Sequence, residues 1–220
     1  MAYRKILEWP DRRLKLQADK IDNFGSEELK KTLVDMEDTI RVAVGAGLAA
    51  PQIGESIQAV IINTAGMKLA NPDDNSEYFQ DSKLWLLLNP RLSNIGGTLE
   101  WEEGCLSVPW HSSTVIRGEY LDLEYETFSG EQKRLLLKGP VAGVIQHECD
   151  HLDGKLFLDR ISRLRSSRIK KSIEKKRKKL RDIKLALTED DEIKIGHPKK
   201  HLSLSRKEIK KRKKIKRNNR

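Results

Sequence analysis

Residues 139–154 read Gly-Pro-Val-Ala-Gly-Val-Ile-Gln-His-Glu-Cys-Asp-His-Leu-Asp-Gly. A proline just inside the start suits a first helical turn, where its missing N–H is no loss. Val141, Val144 and Ile145 recur at helical spacing, and Gly154 stands where a helix would stop. The stretch therefore predicts a helix. On it His147 and His151 share one face, about 5–6 Å apart at Cβ, and two imidazoles so placed can bind one metal ion. Glu148 follows the first imidazole and can reach a water on that metal, the pattern of metal-assisted hydrolysis. The competing reading is a chance pair of surface histidines beside a glutamate.

A catalytic site of the zinc type needs a third protein ligand and an open position. The chain has two cysteines, Cys105 and Cys149. Cys149 lies inside the motif, two residues from each histidine, so a helix turns it away from the metal face. It reads as a small buried hydrophobe. Cys105 follows Glu103-Gly104, and the glycine suits a ligand presented from a loop or strand end. A thiolate also fits iron or zinc. Residues 45–52 read Gly-Ala-Gly-Leu-Ala-Ala-Pro-Gln. Their small side chains leave room for a substrate backbone, and Gln52 supplies a neutral donor for a developing oxyanion. The plainer reading is a tight turn. A dinucleotide fingerprint is excluded, because no third glycine follows at the needed spacing.

Taken together, GAGLAAPQ at 45–52, EGCLS at 103–107 and QHECDH at 146–151 resemble the three motifs of the peptide deformylases, in the same order. The resemblance runs from about Arg4 to about Ser167. It takes in KILEWPDRRL near the start, LLNP at 87–90 and Leu-Asp-Gly-Lys-Leu-Phe after the histidines. It implies Cys105, His147 and His151 as metal ligands and Glu148 as catalytic carboxylate. It further implies Gln52 and the Leu106 N–H as holders of the formyl oxygen. Glu103 and Arg117 match a structural ion pair behind the site, with Glu103 and Gly104 also bordering the substrate. The backbone near Gly47 is expected to pair with an extended peptide. Trp101, Gly143 and Val144, with Ala46 opposite, are expected to line the methionine pocket. Gly143 and Ala46 are small, which leaves width that Trp101 could refill. Trp110-His111-Ser112 lacks a basic residue that some members carry nearby.

The implied reaction releases formate and a free N-terminal methionine from formyl-methionyl nascent peptides. One divalent ion is implied, iron(II) first, with zinc, nickel or cobalt as alternatives. Two rival functions compete with this one: a metallopeptidase that uses the same pentapeptide, and a catalytically silent ribosome- or RNA-binding protein with a vestigial site.

Charge is distributed unevenly. Residues 1–159 hold 17 Lys+Arg against 26 Asp+Glu, net −9, and residues 160–220 hold 26 against 7, net +19. Such asymmetry points to a polyanionic partner. Ile161, Leu164, Ile169, Ile173, Leu180, Ile183 and Leu187 recur at helical spacing, predicting an amphipathic helix from about Arg160 to Leu187. An acidic break at 189–192 and Gly196-His197-Pro198 follow. Ser205-Arg206-Lys207-Glu208 has the capping-box form and opens a short basic helix or disordered arm. His197 and His201 read as surface residues. The basic clusters are Lys175, Lys176, Arg177, Lys178 and Lys179, then Lys210, Lys211, Arg212, Lys213 and Lys214. Phosphate neutralisation by such clusters gives sequence-independent RNA affinity. The resemblance makes the ribosome the expected partner, against the plainer reading of a solubilising tail. The expected organisation is a catalytic domain at 1–167 and a basic helical or disordered extension at 168–220.

No run of about twenty apolar residues occurs, so no membrane span or membrane partner is expected. The N-terminus lacks a signal-peptide pattern, and two unpaired cysteines suit a reducing, cytoplasmic setting. The fold class reads as α+β. A helix is expected at Glu27–Ala43, and strands at Ala59–Asn63, Trp85–Leu88, Leu121–Thr127 and Lys133–Leu137. Phe128-Ser129-Gly130-Glu131 reads as a hairpin turn and Gly66–Ser82 as a surface insertion. The resemblance implies antiparallel β-sheets wrapped around a central helix bearing His147 and His151.

Overall fold

The computed structural model describes residues 3–64 and 84–186. The expected insertion at Gly66–Ser82 and everything past Ala186, including Lys210–Lys214, lie outside the described residues. The chain divides into two compact units, Met1–Arg163 and Leu164–Arg220.

In the first unit, helix α1 spans Glu27–Ala43. Ser26 caps it by accepting a 3.2 Å hydrogen bond from the Leu29 N–H. Strand β1 is Gly47–Ala49 and β2 is Ala59–Asn63. The long β3, Leu84–Gly96, outlasts the expected strand, and its pairing shifts register across Asn89-Pro90, where Asn89 takes a positive φ of 47°. β4 is Leu99–Cys105 and β5 is Val108–Arg117. β6, Tyr120–Glu126, and β7, Gln132–Lys138, lie on either side of the expected turn. Helix α2, Pro140–Leu152, carries the histidines. Helix α3 spans Arg163–Ala186, all but its first residue in the second unit, and includes the cluster Lys175–Lys179.

Among the described residues the strands form two antiparallel sheets. One has the order β1-β2-β3-β6-β7 and the other is the hairpin β4-β5. Period-two alternation in β2 explains the layering. Ala59 and Ile61 pack with Leu29, Leu33, Met36 and Ile40 of α1. Val60 and Ile62 face the opposite way and pack with Val141, Val144 and Ile145 of α2, and with Leu121 and Leu123 of β6. β2 is therefore apolar on both faces, and the large sheet lies between the two helices. α2 packs against β1, β2 and β7. This brings the histidine motif against the short edge strand that begins at Gly47.

Candidate metal centre

The helix fixes two donors. Thirteen residues of regular α2 put His147 and His151 on one face, with ring centroids 5.1 Å apart and planes at 84°. The third donor comes from the hairpin. Pairing of β4 with β5 slips between Gly104 and Cys105, so that Cys105 opposes Val108. Such an irregularity re-aims a side chain. The Cys105 Sγ lies 3.3 Å from His151 Nε2. One donor atom each from Cys105, His147 and His151 falls within 4.8 Å of the others. Cys149 is outside this group and packs against the core cluster on the other side of α2. Burial pushes its thiol well up, so it stays protonated.

His147 is oriented from behind. Its Nδ1–H donates to Glu103 Oε2 at 2.8 Å, which leaves Nε2 for the site. Glu103 also accepts from Trp101 Nε1 at 3.0 Å, from Arg117 Nε at 2.6 Å and from Arg117 Nη2 at 3.0 Å. Burial alone would raise the Glu103 carboxyl, but the hydrogen bonds with His147 and Arg117 outweigh it and hold the pKa at about 2. Glu103 and Arg117 are thus the ion pair expected behind the site. Glu103 borders the groove, and its carboxylate is bonded to three protein partners, Trp101, Arg117 and His147.

The donor set suits a divalent cation. Burial opposes a proton on His147, but Cys105, Glu103 and Glu148 around it hold one firmly, raising its pKa well above the usual value. A position that attracts a proton this way attracts a cation. Burial, with His147 and Arg117 nearby, keeps His151 far below the usual range, hence neutral with a lone pair to give. A thiolate and two imidazoles are a ligand set for iron(II), zinc, nickel or cobalt. Glu148 Oε2 and His151 Nδ1 are the two buried side-chain atoms without a hydrogen-bond partner among the described residues. Burial pushes Glu148 up to about 7. A divalent ion beside it would pull that value back down.

A cavity of about 510 Å³ opens over these groups. Ala46, Gly47 and Gln52 line one wall, and Trp101, Gly104, Cys105 and Leu106 the other, with Val144, His147 and Glu148 at the helix. Gly47 is required by contact. A Cβ there would stand 2.4 Å from Glu148 Oε1 and 2.6 Å from its Cγ and Cδ. Gln52 is held by its own carbonyl, since Oε1 accepts the Ala49 N–H at 2.8 Å. Its amide group therefore points inward, 3.2 Å from Ser107 Oγ and 3.6 Å from Cys105 Sγ. Gly143 does not line the cavity. A Cβ on Gly143 would meet the Trp101 ring at 2.9 Å, so the indole already covers the face that this glycine leaves bare. Asp150 and Ser107 were not singled out from the sequence. Both sit inside the quoted motifs, where their neighbours drew the attention.

The family model for polypeptide deformylase matches residues 3–167. The chain belongs to this family. The peptide deformylase of Desulfotalea psychrophila is 38% identical over 175 residues, covering 80% of this chain and 97% of that protein. That of Buchnera aphidicola subsp. Acyrthosiphon pisum is 34% identical over 179 residues, covering 81% and 95%. Among solved structures, a deformylase from Legionella pneumophila superposes with a TM-score of 0.70 at 35% identity, covering 80% of this chain and 96% of that one. The Ehrlichia chaffeensis deformylase in complex with actinonin gives 0.70 at 26%, covering 80% and 98%. The deformylase match ends within the first turns of α3, so most of the basic tail lies beyond it.

Proposed function

We propose that this chain, a metal-dependent hydrolase of its family, removes the formyl group from the N-terminal methionine of newly made polypeptides by the following division of labour. Cys105, His147 and His151 hold one divalent ion, iron(II) by preference. The reading rests on the three donor atoms lying within 4.8 Å of one another, with Cys105 and His147 lining an open groove. The bound ion supplies Lewis acidity, which acidifies water and polarises a carbonyl oxygen. Glu148 takes the proton of the attacking water and returns it to the departing amine. The amide N–H of Gln52 and the backbone N–H of Leu106 hold the oxyanion, where loss of one such donor costs about 2.7–4 kcal/mol of barrier. The outer edge of β1 at Gly47, an edge strand in its sheet, pairs with the extended substrate. Trp101, Val144 and Ala46, with the Gly104 backbone, receive the methionine side chain. The frame is antiparallel sheet wrapped around the histidine-bearing helix.

A metallopeptidase would use the same ligands but must admit chain on both sides of the scissile bond. Formyl-Met-Ala-Ser is therefore expected to release formate, while an acylated peptide with the same internal bonds stays intact. Cleavage of the internal bonds at a comparable rate would favour the peptidase.

Gly47→Ala tests the placement of Glu148. The added methyl must displace a carboxylate packed 2.4 Å away. Misplacement of a reacting group by about 1 Å costs on the order of 100-fold. We expect kcat to fall by about that factor with metal content unchanged. Unchanged kcat would remove the contact from the account.

The catalytic region is assigned to residues 1–167 and the extension to 168–220. The division of the chain at Arg163/Leu164 supports a boundary in that neighbourhood. The extension docks on ribosomal RNA through Lys175–Lys179 and, outside the described residues, Lys210–Lys214. Its support is the net charge of +19 over residues 160–220. Changing Lys175, Lys176, Arg177, Lys178 and Lys179 together to glutamine should weaken ribosome co-sedimentation and flatten its salt dependence. Equal pelleting across a salt series would reject docking by this cluster. Among the described residues no helix is long and apolar enough to cross a membrane. Action on nascent chains and two unpaired cysteines support a cytoplasmic location.

A further inference from the structure

We propose that Asp150 and Arg160 are positioning residues that set how tightly the centre holds its cation, acting through Arg117 and Glu103 on His147. The proposal rests on the reading of Cys105, His147 and His151 as metal ligands. Outward from His147 the charges alternate: Glu103, Arg117, Asp150, Arg160. Arg117 Nη1 donates to Asp150 Oδ2 at 2.5 Å. Arg160 Nε donates to the same oxygen at 2.9 Å, and its Nη2 to Oδ1. Glu103, Arg117 and Asp150 are buried, at 3%, 5% and 4% exposure. The Arg160 side chain is 43% exposed. Arg117, Asp150 and Arg160 line a second cavity of about 480 Å³, together with Cys149 and Gln146.

The coupling passes through one oxygen. Glu103 Oε2 accepts from His147 Nδ1 at 2.8 Å and from Arg117 Nη2 at 3.0 Å. The imidazole and the guanidinium compete for it. Asp150 draws Arg117 away and leaves Oε2 to His147, which makes the imidazole a stronger ligand. Arg160 shares Asp150 and weakens that draw. The effect on the cation therefore changes sign along the chain of charges. Losing Asp150 weakens the metal site, and losing Arg160 tightens it. Direct electrostatics gives the same two signs, because a carboxylate favours a nearby cation and a guanidinium opposes it. A mere structural brace would give one sign, with both losses loosening the site.

The test loads the full-length protein with zinc and follows its release into a chelating dye. Asp150→Asn should release the ion at least about tenfold faster, the usual lower scale for a support group behind a ligand. Arg160→Gln should release it roughly two- to fivefold more slowly, the scale of a half-exposed charge contact. Arg160→Lys, which keeps the charge but loses the two-point contact with Asp150, should fall between the wild type and Arg160→Gln. If Asp150→Asn does not fold, the Arg160 variants decide alone. Release from Arg160→Gln at or above the wild-type rate overturns the proposal while leaving the metal ligands standing. Wild-type protein that takes up no zinc overturns the metal reading and this proposal with it.

Discussion

Glu148→Ala is expected to keep the ion and to lose on the order of 100- to 10,000-fold in turnover, the range that a positioned general base supplies. Cys105, His147 and His151 do not depend on this carboxylate for their orientation. His147 is held by Glu103, and Cys105 by the end of β4. Metal analysis of the purified variant should therefore match the wild type. Loss of fold would not explain the loss of rate. Burial raises the Glu148 carboxyl from 4.5 to about 7. In metal-free protein a carboxyl raised in this way weakens folding once pH exceeds the unfolded value. The penalty grows until the folded group ionises near 7. Removing Glu148 should leave the metal-free Tm at neutral pH equal to or above that of the wild type. A variant that turns over at nearly the normal rate would remove Glu148 from the chemistry.

Cys105→Ser carries the second large effect, this time on metal retention. The thiolate is the form that binds metal. A serine hydroxyl stays protonated at neutral pH and is a poor, harder ligand. The remaining imidazoles cannot close around the ion alone, because a catalytic centre of this kind rests on three protein ligands. Support groups behind a ligand already cost about 10- to 100-fold in affinity when removed, and loss of the ligand itself should exceed this. After dialysis against a chelator, the variant should retain little metal while the wild type stays loaded. Full occupancy of Cys105→Ser would count against a thiolate ligand.

The sequence made the helices legible because their signals are local. Proline, apolar spacing and glycine bracket α2, and Leu29, Leu33, Met36 and Ile40 at helical spacing announce α1. β2, β6 and β7 read correctly for the same reason, β2 and β7 from short apolar runs and β6 from alternation beside a clear turn. The hairpin that delivers Cys105 did not. Leu-Glu-Trp-Glu-Glu-Gly-Cys and Val-Pro-Trp-His-Ser-Ser-Thr-Val-Ile-Arg form a two-stranded sheet much exposed to solvent, so their alternation is weak. β1 is only three residues, Gly-Leu-Ala, whose strand character comes from pairing with β2. Its register, Gly47 opposite Ile62, is what brings that glycine to Glu148.

The site divides in the same way. The metal-ligating and catalytic types inside the motifs were readable, because the chemistry demands them at those spacings, while Asp150 and Ser107 beside them were passed over. Residues that act across the fold were not. Trp101 was expected to refill the width that Gly143 leaves, but its seat directly on that glycine, 42 positions later in the chain, is a contact that no periodicity encodes. Arg160 reaches back ten residues around the end of α2 to Asp150. The hydrogen bond between Glu103 and His147, 44 positions apart, depended on where the β4–β5 hairpin sits.

One measurement bears on the centre most directly. Protein purified without oxygen is assayed for bound metal and for formate release from formyl-Met-Ala-Ser, before and after chelation and again after iron(II) is restored. The account predicts about one ion per chain, formate release that vanishes with the ion, and recovery on reloading. Formate release that survives complete removal of metal, or a fully loaded protein that releases none, would contradict it.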